Sequence, residues 1–317
     1  MLSAVIFGFG NVAFKIGKDK RTQKFDHMSV LSSLKVKIVA IVDASPSEEA
    51  LYYASEKKIP LFTNYKNVLE NFGSHFDLGV FCLPTSKADV TLGILNTMSF
   101  DRVLLEKPVS YDSYTAKKIF SKLRETETRF SINYQRNWDA GYSKILKWIQ
   151  KNTITDAYCR SSTAIAQSGS HMIELIFRLF PDAKMQNFLP LESKRLISGE
   201  VPEPGAFILL TSKDAQICAN FDSTLLNEFV FSGTIYSTTG RLVFDEGEGF
   251  VSISKKQKGN KRIGSDIIFY DDPEVLYEWK DEPWLYGCYK DLFSSKSHKT
   301  LQDRSLKVVE VINKIMR

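Results

Sequence analysis

The sequence predicts an α/β fold in two parts: a doubly wound parallel sheet first, then an α/β domain with an open, mostly antiparallel sheet. Three observations carry this. Short apolar runs alternate with helix-period segments over the first 135 or so residues, with short loops between them. A glycine-rich turn directly follows the first of those runs. Beyond Tyr134 the apolar runs become numerous, short and punctuated by turn residues, as antiparallel strands are. The expected division is 1–135 for the first domain, 136–299 for the second, and 300–317 for a terminal helix packing back on the first.

The elements follow in order. Ser3-Ala4-Val5-Ile6-Phe7 is a glycine-bounded apolar run and reads as a buried parallel strand. It leads into Gly8-Phe9-Gly10-Asn11-Val12-Ala13, which has the GxGxxG/A form. There the first glycine permits a tight turn, the second lets backbone approach a pyrophosphate, and Ala13 keeps strand and helix close. Phosphate oxygens would sit on the free N–H groups of the helix that follows. The second strand, Val36 to Val42, ends at Asp43, whose carboxylate is placed to accept the adenosine ribose hydroxyls or to cap the next helix. Gly10 to Asp43 is about 33 residues against roughly 20 in the plain fingerprint. The excess lies in Lys15 to Phe25, a basic run that suits a solvated loop or a lip over a phosphate site.

Helices are expected over Ser47–Lys57, Tyr65–Asn71, Lys87–Met98 and Asp112–Thr126, the last with Ala116, Ile119, Phe120 and Leu123 on one face. Strands are expected at Ile59–Phe62, Phe76–Leu83, Val103–Leu105 and Arg129–Asn133. The third of these strands ends in Glu106-Lys107-Pro108. Proline pushes Lys107 into an extended or turn conformation, at the carboxyl end of a strand where open α/β sheets bind ligands. In the second part a strand is expected over Asp156–Ala166 and a helix over Gly169–Phe180. About six strand-like pieces follow between Ala206 and Tyr270, and helices over Pro283–Ser294 and Leu301–Met316 close the chain.

Composition narrows the function. A hydrophobic content of 43%, a charged content of 25% and a formal net charge of +5 are ordinary for a globular protein and argue against nucleic acid as a partner. No apolar run approaches the roughly eighteen residues that cross a bilayer. The apolar start lacks a basic n-region and cleavage site, so a cytoplasmic strand is expected instead of a signal peptide. Cys82, Cys159, Cys218 and Cys288 are scattered without CxxC spacing, the pattern of thiols in a reducing compartment. The histidines form no metal-ligand pair, and no metal is expected.

Several motifs together resemble the glucose–fructose oxidoreductase / inositol dehydrogenase (Gfo/Idh/MocA) family. They are Gly8 to Ala13, Cys82-Leu83-Pro84-Thr85-Ser86, Glu106-Lys107-Pro108, Asn133-Tyr134-Gln135-Arg136 and Gly169-Ser170-His171-Met172-Ile173-Glu174. The resemblance extends to a branch met in bacterial surface-polysaccharide pathways. It implies a Rossmann domain followed by a sheet domain, and reversible hydride transfer between nicotinamide and a sugar or polyol carbon. Lys107 would then hydrogen-bond the reacting oxygen and His171 would act as general base, a role that imidazole suits near neutral pH. The implied cofactor residues are Gly8, Phe9, Gly10, Asn11, Val12, Asp43, Pro84, Thr85, Glu106 and Lys107. Two positions depart from the family pattern: Gln167 stands where an aspartate is common, and Glu174 replaces the aspartate of the helix motif. With Arg136 these are candidate substrate contacts.

NAD is expected over NADP, because Asp43 repels a 2′-phosphate and Ala44-Ser45-Pro46 offers no arginine to receive one. The expected substrate is a sugar, more specifically a nucleotide-linked or acidic one, with Lys87, Arg136 and Arg160 as cations. A homodimer or homotetramer is expected, joined through the sheet. A regulator that binds dinucleotide without turnover is the alternative; retention of both Lys107 and His171 favours an enzyme. A homoserine-dehydrogenase type would share Gly-Phe-Gly-Asn-Val but leaves Glu106-Lys107-Pro108 unexplained.

Overall fold

The structure, a computed structural model, describes residues 2–15, 26–166, 168–191, 196–197, 201–202, 204–213, 215–222, 229–257, 269–279, 284–294 and 299–317. It divides into two compact units: Met1–Trp138 with Pro283–Asn313, and Asp139–Glu282 with Lys314–Arg317. Pro283–Asn313, expected in the second domain as far as 299, cluster with the first.

The first unit is a parallel sheet wrapped by helices. In chain order its elements are β1 (Ser3–Phe7), α1 (His27–Ser33), β2 (Lys37–Val42), α2 (Glu48–Glu56), β3 (Leu61–Phe62), α3 (Tyr65–Phe72), β4 (His75–Phe81), α4 (Ala88–Thr97), β5 (Ser99–Leu105), α5 (Ser113–Glu125) and β6 (Arg129–Ile132). The strand order β3-β2-β1-β4-β5-β6 reverses between β1 and β4, which makes that crevice the ligand position of a doubly wound sheet. The two sheet faces divide by alternation. Ala4 and Ile6 join Leu78, Val80 and Leu104 in a core with α1, while Phe7 stacks on Phe81 at 4.7 Å and meets Phe100 edge-on at 6.0 Å. Helices α2, α3 and α5 start at side-chain caps: Ser47 accepts from Ala50 N–H, Asn64 from Lys66 N–H, and Asp112 from Thr115 N–H.

The second unit comprises α6 (Ala140–Gln150), β7 (Ile154–Ser161), α7 (Gly169–Leu179), β8 (Lys184–Leu191), the short β9 (Leu196–Ile197) and β10 (Val201–Pro202), β11 (Gly205–Ser212), β12 (Ala215–Phe221), β13 (Phe231–Ser237), β14 (Gly240–Asp245), β15 (Phe250–Lys255) and β16 (Glu274–Glu278). Its main sheet has eight strands, in the order β16-β15-β14-β13-β7-β12-β11-β8. Every pairing is antiparallel except β7 with β12. The sequence suggested about six strands. It misses β8 and β16, whose side chains are half-buried or exposed and so lack a strong apolar alternation. The expected strand near Asp266–Tyr270 lies mostly outside the described residues, with Tyr270 bridging Lys256. Helix α6, unmarked in the sequence reading, starts at Asp139, which accepts from Tyr142 N–H and from the Trp279 indole.

Across the central strands, one face of this sheet is buried. Ala157, Cys159, Ile217, Ala219 and Phe221 all point to it, and the Phe221 ring lies against Gly169 at the start of α7. The opposite face carries half-buried or exposed residues, among them Tyr158 at 44% exposure.

Two helices close the chain: α8 (Trp284–Phe293) and α9 (Lys299–Ile315). Leu285, Cys288, Tyr289 and Leu292 recur at the helical period and enter the core of the first unit. Trp138 donates its indole N–H to Asp291 at 3.0 Å, the Arg129 guanidinium donates to the Ser294 carbonyl, and Gln302 donates to the Phe130 carbonyl at 3.1 Å. Helical periodicity reveals which side of α8 is apolar. It does not reveal which sheet that side covers.

Candidate functional site

The carboxyl ends of the first sheet form a row. Each strand continues one hydrogen bond beyond its last residue: Gly8 N–H donates to Val42 at 2.7 Å, Cys82 N–H to Phe7 at 2.7 Å, Glu106 N–H to Phe81 at 2.9 Å and Asn133 N–H to Leu105 at 2.9 Å. The glycine loop, the Pro84-Thr85 turn, the Glu106-Lys107 turn and Asn133 therefore leave the sheet at one level.

The glycine loop shows why its two glycines are needed. Gly8 has φ +84, and a Cβ there would stand 2.7 Å from the Cys82 carbonyl oxygen. Gly10 faces open space, with no atom within 4 Å of a Cβ built on it. Backbone crowded below Gly8 and open above Gly10 fits close approach of a pyrophosphate. Phe9 N–H donates to Asp43 Oδ2 at 2.7 Å, and Ser45 N–H donates to Oδ1 at 2.9 Å, so the carboxylate is aimed beside the loop. Asp43 is not the cap of α2; Ser47 is. The Phe9 side chain turns into the core, stacked on Phe14 at 4.4 Å, so only its backbone borders the loop. Asn11 and Val12 are exposed.

The helix expected straight after the loop is, among the described residues, a single π-helical turn over Asn11–Lys15, anchored by Ala13 and Phe14 N–H groups on the Gly10 carbonyl. Lys15 pairs with Glu49 at 2.9 Å. The rest of the basic run, with Lys18, Lys20, Arg21 and Lys24, lies outside the described residues. Pro84 and Thr85 begin a 3₁₀ turn ending at Lys87, which is exposed.

At the end of β5, Glu106 is held from several sides. Its Oε1 accepts from Asn133 Nδ2 at 2.6 Å and from His27 Nε2 at 2.9 Å, and its Oε2 faces the Lys107 N–H at 3.3 Å. His27 is fully buried, and its other nitrogen meets the Tyr289 hydroxyl at 2.7 Å. Burial works against charge on His27, but Cys82 and the Glu106 carboxylate outweigh it, and the imidazole pKa is pushed up to about 10. Burial pushes the Cys82 thiol above its ordinary 9.0, and the Glu106 carboxylate joins it in favouring the proton on His27. Burial raises Glu106 too, but the His27 hydrogen bond and charge, with Lys107 and Asn133, bring its pKa below the ordinary carboxylate value. His27 had no motif to mark it in the sequence. Its one signal is Asp26-His27 at the start of a seven-residue helix, where Asp26 accepts from Ser29 N–H as the helix cap.

The Lys107–Pro108 bond is cis, and Lys107 itself is half-buried. Arg136 follows β6 in a 3₁₀ turn and is 6% exposed, with its guanidinium 5.7 Å from the Trp284 ring. It is a buried cation and not a surface charge.

In the second unit, His171 sits in the first turn of α7 and is 7% exposed. Glu174, three residues on and 1% exposed, shares its side of the helix. The helix start is crowded: a Cβ on Gly169 would lie 2.6 Å from the Ala164 carbonyl oxygen, whose hydrogen bond from Gly169 N–H is 3.1 Å. Gln167 lies outside the described residues. Arg160 is on β7 with the parity of Tyr158, hence on the face of the sheet turned away from α7. Among the described residues no group of three or more His, Cys, Asp or Glu side chains could hold a metal ion, and no helix is long and apolar enough to cross a membrane.

Residues 2–134 match the family model GFO_IDH_MocA, described as an oxidoreductase family with an NAD-binding Rossmann fold. Residues 2–134 therefore form a domain with an NAD-binding Rossmann fold. No curated protein matches the chain. Among solved structures, KijD10, a 3-ketoreductase from Actinomadura kijaniata in complex with TDP-benzene and NADP, superposes with a TM-score of 0.75 at 13% identity, over 99% of this chain and 96% of that one. The same protein with NADP alone gives 0.76 at 14% identity, over 99% and 96%. A Desulfitobacterium hafniense protein described as an NADPH-dependent oxidoreductase gives 0.70 at 14%, over 99% and 96%. At these identities the likeness is one of fold, and it extends through the sheet domain as well.

Two outcomes are expected here. Gly8→Ala should lower stability by about 2 kcal/mol or more in urea melts, through its positive φ and the clash with Cys82, whereas Gly10→Ala should melt near wild type but bind dinucleotide more weakly. For the His27–Glu106 pair, the Glu106 contribution is present above its ordinary pKa of 4.5 and lost as pH falls through its lowered folded value. The His27 contribution is complete below its ordinary 6.5 and fades as pH rises toward about 10. Unfolding free energy measured from pH 5 to 10 should decline above 6.5, and the decline should flatten in His27→Asn.

Proposed function

We propose that this chain is an NAD(P)-dependent oxidoreductase acting on a hydroxyl or keto carbon of a sugar-type substrate, with Lys107 and His171 as its catalytic residues. The strand-end row carries this most directly. It combines a glycine loop open above Gly10, an Asp43 carboxylate held beside that loop and a lysine turn next to a buried carboxylate, in a domain that matches an NAD-binding oxidoreductase family. Gly8, Gly10 and the backbone of Phe9, Asn11 and Val12 would hold the pyrophosphate. Asp43 would hold the ribose, and Pro84, Thr85 and Glu106 would border the nicotinamide end. NAD(P), when bound, supplies a two-electron hydride donor or acceptor.

In the oxidation direction the His171 imidazole takes the hydroxyl proton, while the Lys107 ammonium donates a hydrogen bond to the oxygen as negative charge develops there. In reduction the same groups return the proton and polarise the carbonyl. Glu174 and Gln167 would contact substrate or support His171.

A nucleotide-linked or acidic sugar is favoured over a neutral polyol. Support comes from Arg136, kept charged and buried one turn beyond β6, and from the nucleotide-type ligand of the KijD10 structure. Arg160 gives no such support from its place on β7. NAD is favoured over NADP, since the Asp43 carboxylate would meet a 2′-phosphate, although NADP accompanies KijD10. Pairing of two copies through the open face of the eight-stranded sheet would cover Tyr158, and light scattering at micromolar protein would show a monomer if that is wrong.

His171→Ala and Lys107→Ala should each lower turnover by about 10²-fold or more while dinucleotide affinity stays within about twofold. Wild-type turnover in either variant overturns its assignment. Fluorescence titration should find NADH binding tighter than NADPH. Following NAD(P)H absorbance against nucleotide-sugars, acidic sugars, free hexoses and inositols should show charged substrates reacting fastest. Reaction of neutral sugars alone, at rates unaffected by Arg136→Glu, would remove the anionic-substrate assignment and leave hydride transfer standing.

A further inference from the structure

We propose that His27 is a positioning residue for Lys107, acting through Glu106: its side chain, held on both nitrogens, fixes the carboxylate that orients and charges the lysine turn. This rests on the reading that Lys107 meets the reacting oxygen. Four elements converge on the arrangement. His27 opens α1, Glu106 and Lys107 follow β5, Asn133 follows β6, and Tyr289 comes from α8. The Tyr289 hydroxyl stands 2.7 Å from Nδ1 and Glu106 Oε1 stands 2.9 Å from Nε2, so an imidazolium donates at both ends. Glu106 Oε1 takes a second hydrogen bond from Asn133 at 2.6 Å. With that oxygen occupied twice, the carboxylate plane is set and Oε2 is left toward the Lys107 backbone at 3.3 Å.

The electrostatic link runs the same way. A carboxylate buried at this depth protonates unless a cation and donors hold it ionised. The groups facing the pair are the Cys82 thiol after β4, Asp26 ahead of α1, Lys107 and Asn133 beside Glu106, and Cys288 and Tyr289 from α8. Of these only Lys107 carries a second positive charge, and it is the one the pair serves. Without the imidazolium, burial dominates and Glu106 takes up a proton. Lys107 then loses its adjacent anion, its ammonium is less favoured, and its pKa falls.

The test reads Lys107 directly, without needing the substrate. Competitive labelling of lysines with acetic anhydride between pH 6 and 11, followed by peptide mass spectrometry, gives a labelling midpoint for Lys107, with Lys117 on α5 as an internal control. His27→Asn keeps a donor but no charge and should lower the Lys107 midpoint by about one pH unit. Glu106→Gln should do the same, and Tyr289→Phe should lower it by less while preserving the fold. Lys117 should not move. With substrate, His27→Asn should lower kcat by about tenfold with dinucleotide affinity within about twofold. An unchanged Lys107 midpoint in folded His27→Asn and Tyr289→Phe overturns the proposal even where Lys107→Ala is inactive. Wild-type turnover in Lys107→Ala instead overturns the catalytic role of the lysine, and the midpoint then still decides whether His27 controls it.

Discussion

A carboxylate kept ionised while buried is the constraint around which the first unit is arranged. Glu106 directly follows Val103–Leu105, which are fully enclosed, and its own side chain is only 10% exposed. Its charge has to be met locally, and the molecule meets it with donors from three different segments: an imidazolium from α1, an amide from the end of β6 and the backbone of the residue that follows it. Breaking such a pair by removing one partner typically costs about 3–5 kcal/mol, because the remaining charge is left uncompensated. The same contacts therefore tie α1, β5, β6 and α8 together and hold the lysine turn still.

Around that point the sheet supplies order cheaply. Parallel strands that each gain one hydrogen bond past their ends bring four segments to a common level, and the reversal of strand order between β1 and β4 opens the crevice between them. Gly8 belongs to this arrangement because the Cys82 carbonyl occupies the space a side chain would need. Asp43 is held by two backbone N–H groups, one from the glycine loop and one from its own turn, so the loop and the acid that would flank a dinucleotide are set relative to each other before any ligand arrives.

The second unit achieves rigidity differently. Its sheet buries one face under helices and leaves the other half-exposed, and α7, on the covered side, is enclosed over nearly its whole length. A histidine in the first turn of such a helix has few rotamers open to it. Gly169 at that start packs directly against the Ala164 carbonyl and the Phe221 ring, which fixes where the turn begins. Strand alternation also separates residues that look equivalent in sequence: Cys159 and Arg160 are neighbours in the chain and lie on opposite faces.

The sequence by itself determined the strand–helix alternation, the glycine loop, Asp43, the Glu106-Lys107-Pro108 turn and the apolar face of α5, because each depends on residues close together in the chain. Period, turn chemistry and strand termination are local properties, and local properties can be read from local residues. Tertiary structure alone decided that α8 covers the first sheet, that Arg136 is buried against Trp284, that Arg160 faces away from α7, and that the sheet has eight strands, since β8 and β16 owe their pairing to neighbours and not to their own apolar pattern. His27 is the clearest case. It lies 79 residues from Glu106 and 262 from Tyr289, and only the closing of the chain around the end of β5 turns an unremarked histidine into the counter-ion of a buried carboxylate.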